Sequence, residues 1–174
     1  MSSKSPLDGK MILVVDDEPD VLDTVEEVLP MCQIRKVQDH ETALQYLLGY
    51  TWDAVVLDIM GVDGFKLLKV ATSRDFPAVM LTAHALTPEA LKKSMKLGAV
   101  SFLPKERISD LHNFLLEVVT VGGKSSWIRF FDRLGGFFDR KFGPDWKQSD
   151  EFFREFEEKV RKLEPQEEQA PEVH

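Results

Sequence analysis

A chain of 174 residues is long enough for one α/β domain and a short extension. Its 22 basic and 30 acidic side chains give a net charge of −8, which argues against nucleic-acid binding by phosphate neutralisation. A single cysteine, Cys32, excludes an internal disulfide, and no run reaches the ~20 apolar residues of a membrane span. The amino-terminal stretch Met1 to Pro6 lacks the apolar segment of a signal peptide, so a cytoplasmic protein is expected. Charge is unevenly spread: residues 1–123 carry 12 basic against 18 acidic side chains, whereas residues 124–164 carry 10 against 9.

In chain order, Ile12 to Val15 is a short apolar run that ends on Asp16-Asp17. Pro19 suits a first helical turn, and Val21, Leu22, Val25, Val28 and Leu29 follow at helical spacing. Ile34 to Val37 reads as a second strand. Asp39 can cap a helix carrying Ala43, Leu44, Leu47 and Leu48, which Gly49 ends. Ala54 to Leu57 then runs into Asp58, and Asp63-Gly64 opens a helix with Phe65, Leu67, Leu68 and Ala71. Ala78 to Leu81 runs into Thr82, and Thr87-Pro88-Glu89 starts a helix that stops at Gly98. Val100 to Pro104 runs into Lys105, before a fifth helix with Leu111, Phe114, Leu115 and Val118.

Continuous apolar runs separated by amphipathic helices predict an α/β fold with a parallel sheet covered on both faces. Parallel strands bring their carboxyl ends to one edge, where open α/β sheets carry their sites. Asp16, Asp17, Asp58, Thr82 and Lys105 would meet there, although they span 90 positions. Adjacent carboxylates raise one another's pKa unless a cation joins them, and an all-oxygen set favours Mg²⁺. Such a set can screen a phosphate from an attacking Asp58, with Lys105 and Thr82 serving the phosphoryl oxygens.

Past Gly122 the composition changes, and ten of the 17 aromatic residues lie between Trp127 and Phe156. Residues 1–9 read as an amino-terminal tail, 10–121 as the α/β domain and 122–126 as a flexible linker. Residues 127–164 read as an aromatic-rich helical hairpin turning at Gly143-Pro144-Asp145, and 165–174 as a disordered acidic tail. In the hairpin, Trp127, Phe130, Phe131 and Leu134 share a face that Phe137 and Phe138 continue, and Phe152, Phe153, Phe156, Val160 and Leu163 share another. Aromatics at this spacing are expected to pack against the domain or join two chains as a homodimer. Arg129, Arg133, Arg140 and Lys141 flank the aromatics, but interleaved Asp132 and Asp139 argue against a membrane face. About 40 near-neutral residues without a recognition-helix pattern argue against a DNA-binding output.

Residues 10–121 resemble a response-regulator receiver domain of bacterial two-component signalling. The matching stretches are Ile12 to Pro19, Val55 to Asp58, Asp63-Gly64, Leu81-Thr82-Ala83-His84, Gly98-Ala99 and Phe102 to Lys105. The resemblance implies a flavodoxin-like sheet of order 2-1-3-4-5, with Asp58 as phosphoacceptor and Asp17 as a direct Mg²⁺ ligand. It further implies that Asp16 assists the metal through water, that the Met60 carbonyl is a ligand, and that Lys105 contacts the phosphoryl group. Thr82 and Phe102 would form a switch pair, with Phe102 rotating in from solvent. The expected partners are a histidine kinase or phosphotransfer protein and a downstream protein target, and the chain would catalyse only its own phosphorylation and dephosphorylation.

Two departures from the family pattern stand out. Asp58-Ile59-Met60-Gly61-Val62-Asp63-Gly64 is two residues shorter than the usual loop and lacks its proline. Glu106 follows Lys105 where proline is usual, which disfavours a cis bond. His84, two positions beyond Thr82, reads as an exposed loop residue. Two rival functions are a Mg²⁺-dependent aspartyl-phosphate phosphohydrolase and a receiver-like module that is never phosphorylated. Against the first, Asp16-Asp17-Glu18-Pro19 lacks the Asp-x-Asp-x-Thr pattern and no cap domain is present; only the short loop favours the second.

Overall fold

A computed structural model describes the backbone at residues 4–121 and 123–163, and all of their side chains except those of 123–126 and 163. The expected acidic tail over 165–174 lies outside the described residues. Five strands form one parallel sheet: β1 (Met11–Val15), β2 (Gln33–Val37), β3 (Ala54–Asp58), β4 (Ala78–Thr82) and β5 (Ser101–Pro104). Their order is β2-β1-β3-β4-β5, the doubly wound arrangement expected. Every residue of β3, β4 and β5 is buried, which explains their unbroken apolar runs. β2 lies at an edge and buries only Val37, so its polar residues face outward.

The crossovers are α1 (Pro19–Val28), α2 (His40–Gly49), α3 (Gly64–Ser73), α4 (Pro88–Lys96) and α5 (Leu111–Val121). Asp39 caps α2 by accepting the Thr42 N–H, and Thr87 caps α4 by accepting the Ala90 N–H. Pro19 and Pro88 each stand at the start of a helix, as read from the sequence. α3 begins after Asp63, whose φ is 55°. Gly64 then passes so close to β3 that a Cβ there would fall 2.0 Å from the Asp58 carbonyl oxygen. Only glycine permits that approach.

Two local expectations are corrected, and one element that the sequence did not signal is present. Residues 1–9 are not a free tail throughout: Leu7 is fully buried and the Gly9 N–H donates to the Met31 carbonyl. A lone apolar residue among polar ones carries no periodicity to reveal this. A 3-10 helix, Lys105–Asp110, separates β5 from α5 where the sequence showed no element. Finally, the expected linker over 122–126 is helical from Gly123, because α6 spans Gly123–Phe142. Composition marked a break there, but neighbouring packing outweighs the propensity of one or two glycines.

The chain forms two compact units, Met1–Arg133 and Leu134–His174, so the division falls within α6 and not at the expected linker. In the first unit, the Trp127 indole N–H donates to the Ala99 carbonyl at 2.8 Å. Phe130 is fully buried, its ring centroid 6.0 Å from that of Phe114 on α5, and Arg133 pairs with Glu117. These residues belong to the α/β body, although the sequence grouped them with the extension.

The second unit holds the rest of α6 and α7 (Glu151–Leu163). Trp146 centres it, with ring centroids 4.8 Å from Phe153 and 5.2 Å from Phe142. Its indole N–H donates to Asp139, and Phe138 and Phe153 are fully buried. Burying a side chain of this size is worth roughly 1.5–3 kcal/mol, so a few of them can hold two helices together. Among the described residues, no helix is long and apolar enough to cross a membrane.

Candidate functional site

Strand register builds the site. β3 and β4 pair with Asp58 opposite Leu81, and β4 and β5 pair with Thr82 opposite Pro104, so these strands end at neighbouring heights. Lys105 follows β5 directly. At this edge its ammonium lies 2.9 Å from Asp16, 3.3 Å from Asp58 and 2.7 Å from Glu18. Residues 87 positions apart thereby share one ion-pair cluster.

The cluster is unevenly buried. Asp16 is fully buried and Asp58 nearly so, whereas Glu18 stands half exposed at the rim. Burial pushes the Asp16 carboxyl above its ordinary pKa, and the Asp58 charge adds to the rise. Hydrogen bonds from Lys105 and the Glu18 N–H, together with the Lys105 charge, offset part of it. For Lys105, burial opposes the charge, but hydrogen bonds to Glu18 and Asp16 and the nearby carboxylate charges outweigh it and raise its pKa. The Glu18 carboxyl is lowered by its hydrogen bond with Lys105.

The short loop after β3 shapes the rest. Gly61 turns inward, and its N–H donates to Asp58 Oδ2 at 3.1 Å. Its Cα faces Asp17 so closely that a Cβ would lie 2.3–2.4 Å from the carboxylate atoms. His40 supports the loop from α2, its Nδ1–H donating to the Val62 carbonyl at 2.8 Å. Met60 exposes its side chain, and its carbonyl accepts the Asp63 N–H at 3.4 Å. On β4, the buried Thr82 hydroxyl accepts the Ala85 N–H at 2.8 Å, which leaves its own O–H as a donor. His84 is exposed, as expected from the sequence. Phe102 is fully buried, so the expected inward rotation from solvent does not describe this conformation.

Carboxylate oxygens of Asp16, Asp17 and Glu18 all lie within 4.8 Å of one another. This set offers the oxygen ligands that a hard divalent cation takes. Sequence reasoning named Asp16 and Asp17 but passed over Glu18 and Gly61. The unbroken run Asp16-Asp17-Glu18 pointed to the former. The glycine at the centre of a shortened loop pointed to the latter.

The family described as "Response regulator receiver domain" matches residues 12–115. The two-component response regulator ARR18 of Arabidopsis thaliana is 33% identical over 124 residues, covering 67% of this chain and 19% of that protein. ARR10 of the same plant is 35% identical over 119 residues, covering 64% of this chain and 21% of that protein. The chain thus spans about a fifth of the length of these relatives. A crystal structure of NtrX from Brucella abortus, in complex with ADP, is similar with a TM-score of 0.56 and 28% identity, over 70% of this chain and 29% of that one. A BeF3-activated DrrB receiver domain shares the fold, with a TM-score of 0.54 and 24% identity over 63% of this chain and 98% of that one.

The curated relatives named here are plant regulators and NtrX is from a bacterium, so the family is shown without the bacterial qualifier. The match ends at residue 115 and leaves the C-terminal helices outside it. By its sheet order, its strand-end acids and the family match over most of the sheet, this chain belongs to the response-regulator receiver domain family.

Proposed function

We propose that this chain is a phosphoacceptor switch, in which Asp58 takes a phosphoryl group from a histidine kinase, a phosphotransfer protein or a small phosphodonor. The observation that carries the reading is the Lys105 ammonium held among Asp16, Glu18 and Asp58 beside a glycine amide aimed at the Asp58 carboxylate. An Asp58 oxygen attacks phosphorus, the bond from phosphorus to the donor breaks, and the donor leaves with its electron pair. The Gly61 N–H and Lys105 then face the new charge, and the Thr82 hydroxyl is positioned to donate to a phosphoryl oxygen. Asp16, Asp17 and Asp58, with the Met60 carbonyl and the newly recognised Glu18, are the groups that would hold Mg²⁺. When bound, that ion supplies the positive charge that lets a carboxylate meet a phosphate. Thr82 and Phe102 are the residues proposed to convert the added charge into a changed protein–protein surface. The same reading puts the chain in the cytoplasm, with a kinase upstream and a protein target downstream.

Acetyl phosphate with Mg²⁺ should give one phosphate adduct by intact-protein mass spectrometry, absent in Asp58→Asn and in excess chelator. An adduct that survives Asp58→Asn refutes the assignment. Multiple turnover of a small phosphate ester would favour a phosphohydrolase instead, and no adduct under any donor would favour a module that is never phosphorylated.

A further inference from the structure

We infer that the first half of α6 is an intramolecular clamp across the joint between β5 and α5, released when Asp58 is phosphorylated. The inference rests on the phosphoacceptor reading above. Two sets of contacts define the clamp. Trp127 donates to the carbonyl of Ala99, just before β5, while Phe130 and Arg133 engage Phe114 and Glu117 on α5. The Arg133 guanidinium also lies 5.8 Å from the centre of the Phe114 ring. One helix segment therefore grips both sides of the connection made by the 3-10 helix Lys105–Asp110.

That connection begins at Lys105, the cation shared by three carboxylates. It departs from helical geometry at Arg107, with φ −113° and ψ 26°, so it is a natural place to bend. Phosphorylation replaces the single negative charge of the Asp58 carboxylate with a phosphoryl group carrying about −1.5 to −2, set further out from the side chain. Lys105 is then drawn from Glu18, its nearest partner at 2.7 Å, toward Asp58, now at 3.3 Å. Because Lys105 starts the segment leading to α5, its shift displaces α5 relative to the beginning of β5. A contact set bridging both elements cannot follow both at once, so the clamp loosens. The direct hydrogen bond of Trp127 is the most sensitive part, because it weakens steeply with distance and angle.

Hydrogen exchange on the full chain, with and without beryllofluoride and Mg²⁺, tests this. Exchange across residues 127–133 should accelerate about fivefold or more on loading, the lower end of ordinary coupling between two sites. Asp58→Asn should show no change. Binding free energies are reciprocal, so variants that loosen the clamp should bind beryllofluoride more tightly by a similar factor. Trp127→Phe removes the donor and the smaller share of packing, and Phe130→Ala removes a whole ring, so the effect can be read in whichever of the two folds normally. Loading at Asp58 with unchanged or slower exchange in 127–133 overturns the clamp. So does unchanged beryllofluoride affinity in a variant whose 127–133 exchange is already faster. Failure to load Asp58 at all refutes the phosphoacceptor reading instead, and the mass spectrum separates the two failures.

Discussion

The carboxyl edge of the sheet and the aromatic unit beyond Arg133 are stabilised by opposite kinds of interaction. At the edge, two buried carboxylates and one ammonium are kept from water, and burial raises the Asp16 pKa against its own charge. In the aromatic unit, Phe138, Trp146 and Phe153 bury apolar surface, and the one indole donor is satisfied by Asp139. Burial of charge carries a desolvation cost that the ion pairs only partly recover, whereas aromatic burial is favourable without a ligand. The first region is therefore poised to respond to added charge, and the second is built to persist through it.

Removing the centre of each region should expose that contrast. Trp146→Ala is expected to cost about 3–5 kcal/mol in the second unit, as for other buried Trp or Phe truncations, and to be indifferent to Mg²⁺. Lys105→Ala is expected to cost about 3 kcal/mol, the lower range for breaking a buried ion pair, and Mg²⁺ should restore part of it by replacing the lost cation. Urea unfolding of each variant with and without Mg²⁺ measures both. Equal rescue of the two variants would erase the distinction.

A finer probe lies in the short loop. Gly61→Ala puts a methyl group into the space of the Asp17 carboxylate. It should weaken Mg²⁺ binding by about 10–100-fold, the usual range when a ligand's supporting contact is lost. Calorimetric titration with Mg²⁺ reads this directly. Unchanged affinity would show that Asp17 is not needed for the ion.

The smallest expected effect is a dependence on pH. Asp16 has a folded-state pKa above its unfolded one, so the folded chain holds its proton more tightly. Its contribution to stability therefore becomes less favourable as pH rises from the unfolded value through the raised one, by about 1.4 kcal/mol for each tenfold difference in proton affinity between the two states. Mg²⁺ competes with that proton, so added stability from Mg²⁺ should be full above the raised value and fade as pH falls through it. Thermal unfolding with and without Mg²⁺, compared with Asp16→Asn, isolates the effect. A Mg²⁺ effect on wild type that is constant across this range would leave the Asp16 proton without a role.

Much of this was legible in the chain. Four apolar runs ending on Asp16-Asp17, Asp58, Thr82 and Lys105, with the shorter run Ile34 to Val37, were enough for five strands, parallel pairing and the edge that carries the candidate site. The caps at Asp39 and Thr87 are local events, and local sequence decides them because a side chain there meets its own backbone. Other features depended on contacts that are remote in sequence. Glu18 belongs to the site because a lysine 87 residues later reaches it. Gly61 matters because a shortened loop presses it against Asp17, and Leu7 is fully buried in a segment whose carbonyl meets Cys32, 25 residues later. The boundary after Val121 showed the same limit. Composition marked a change of character at Gly122, but Trp127 and Phe130 joined the α/β body because Ala99 and Phe114 offered a carbonyl and an aromatic surface. Periodicity states which residues share a face, and only the folded chain decides what that face meets.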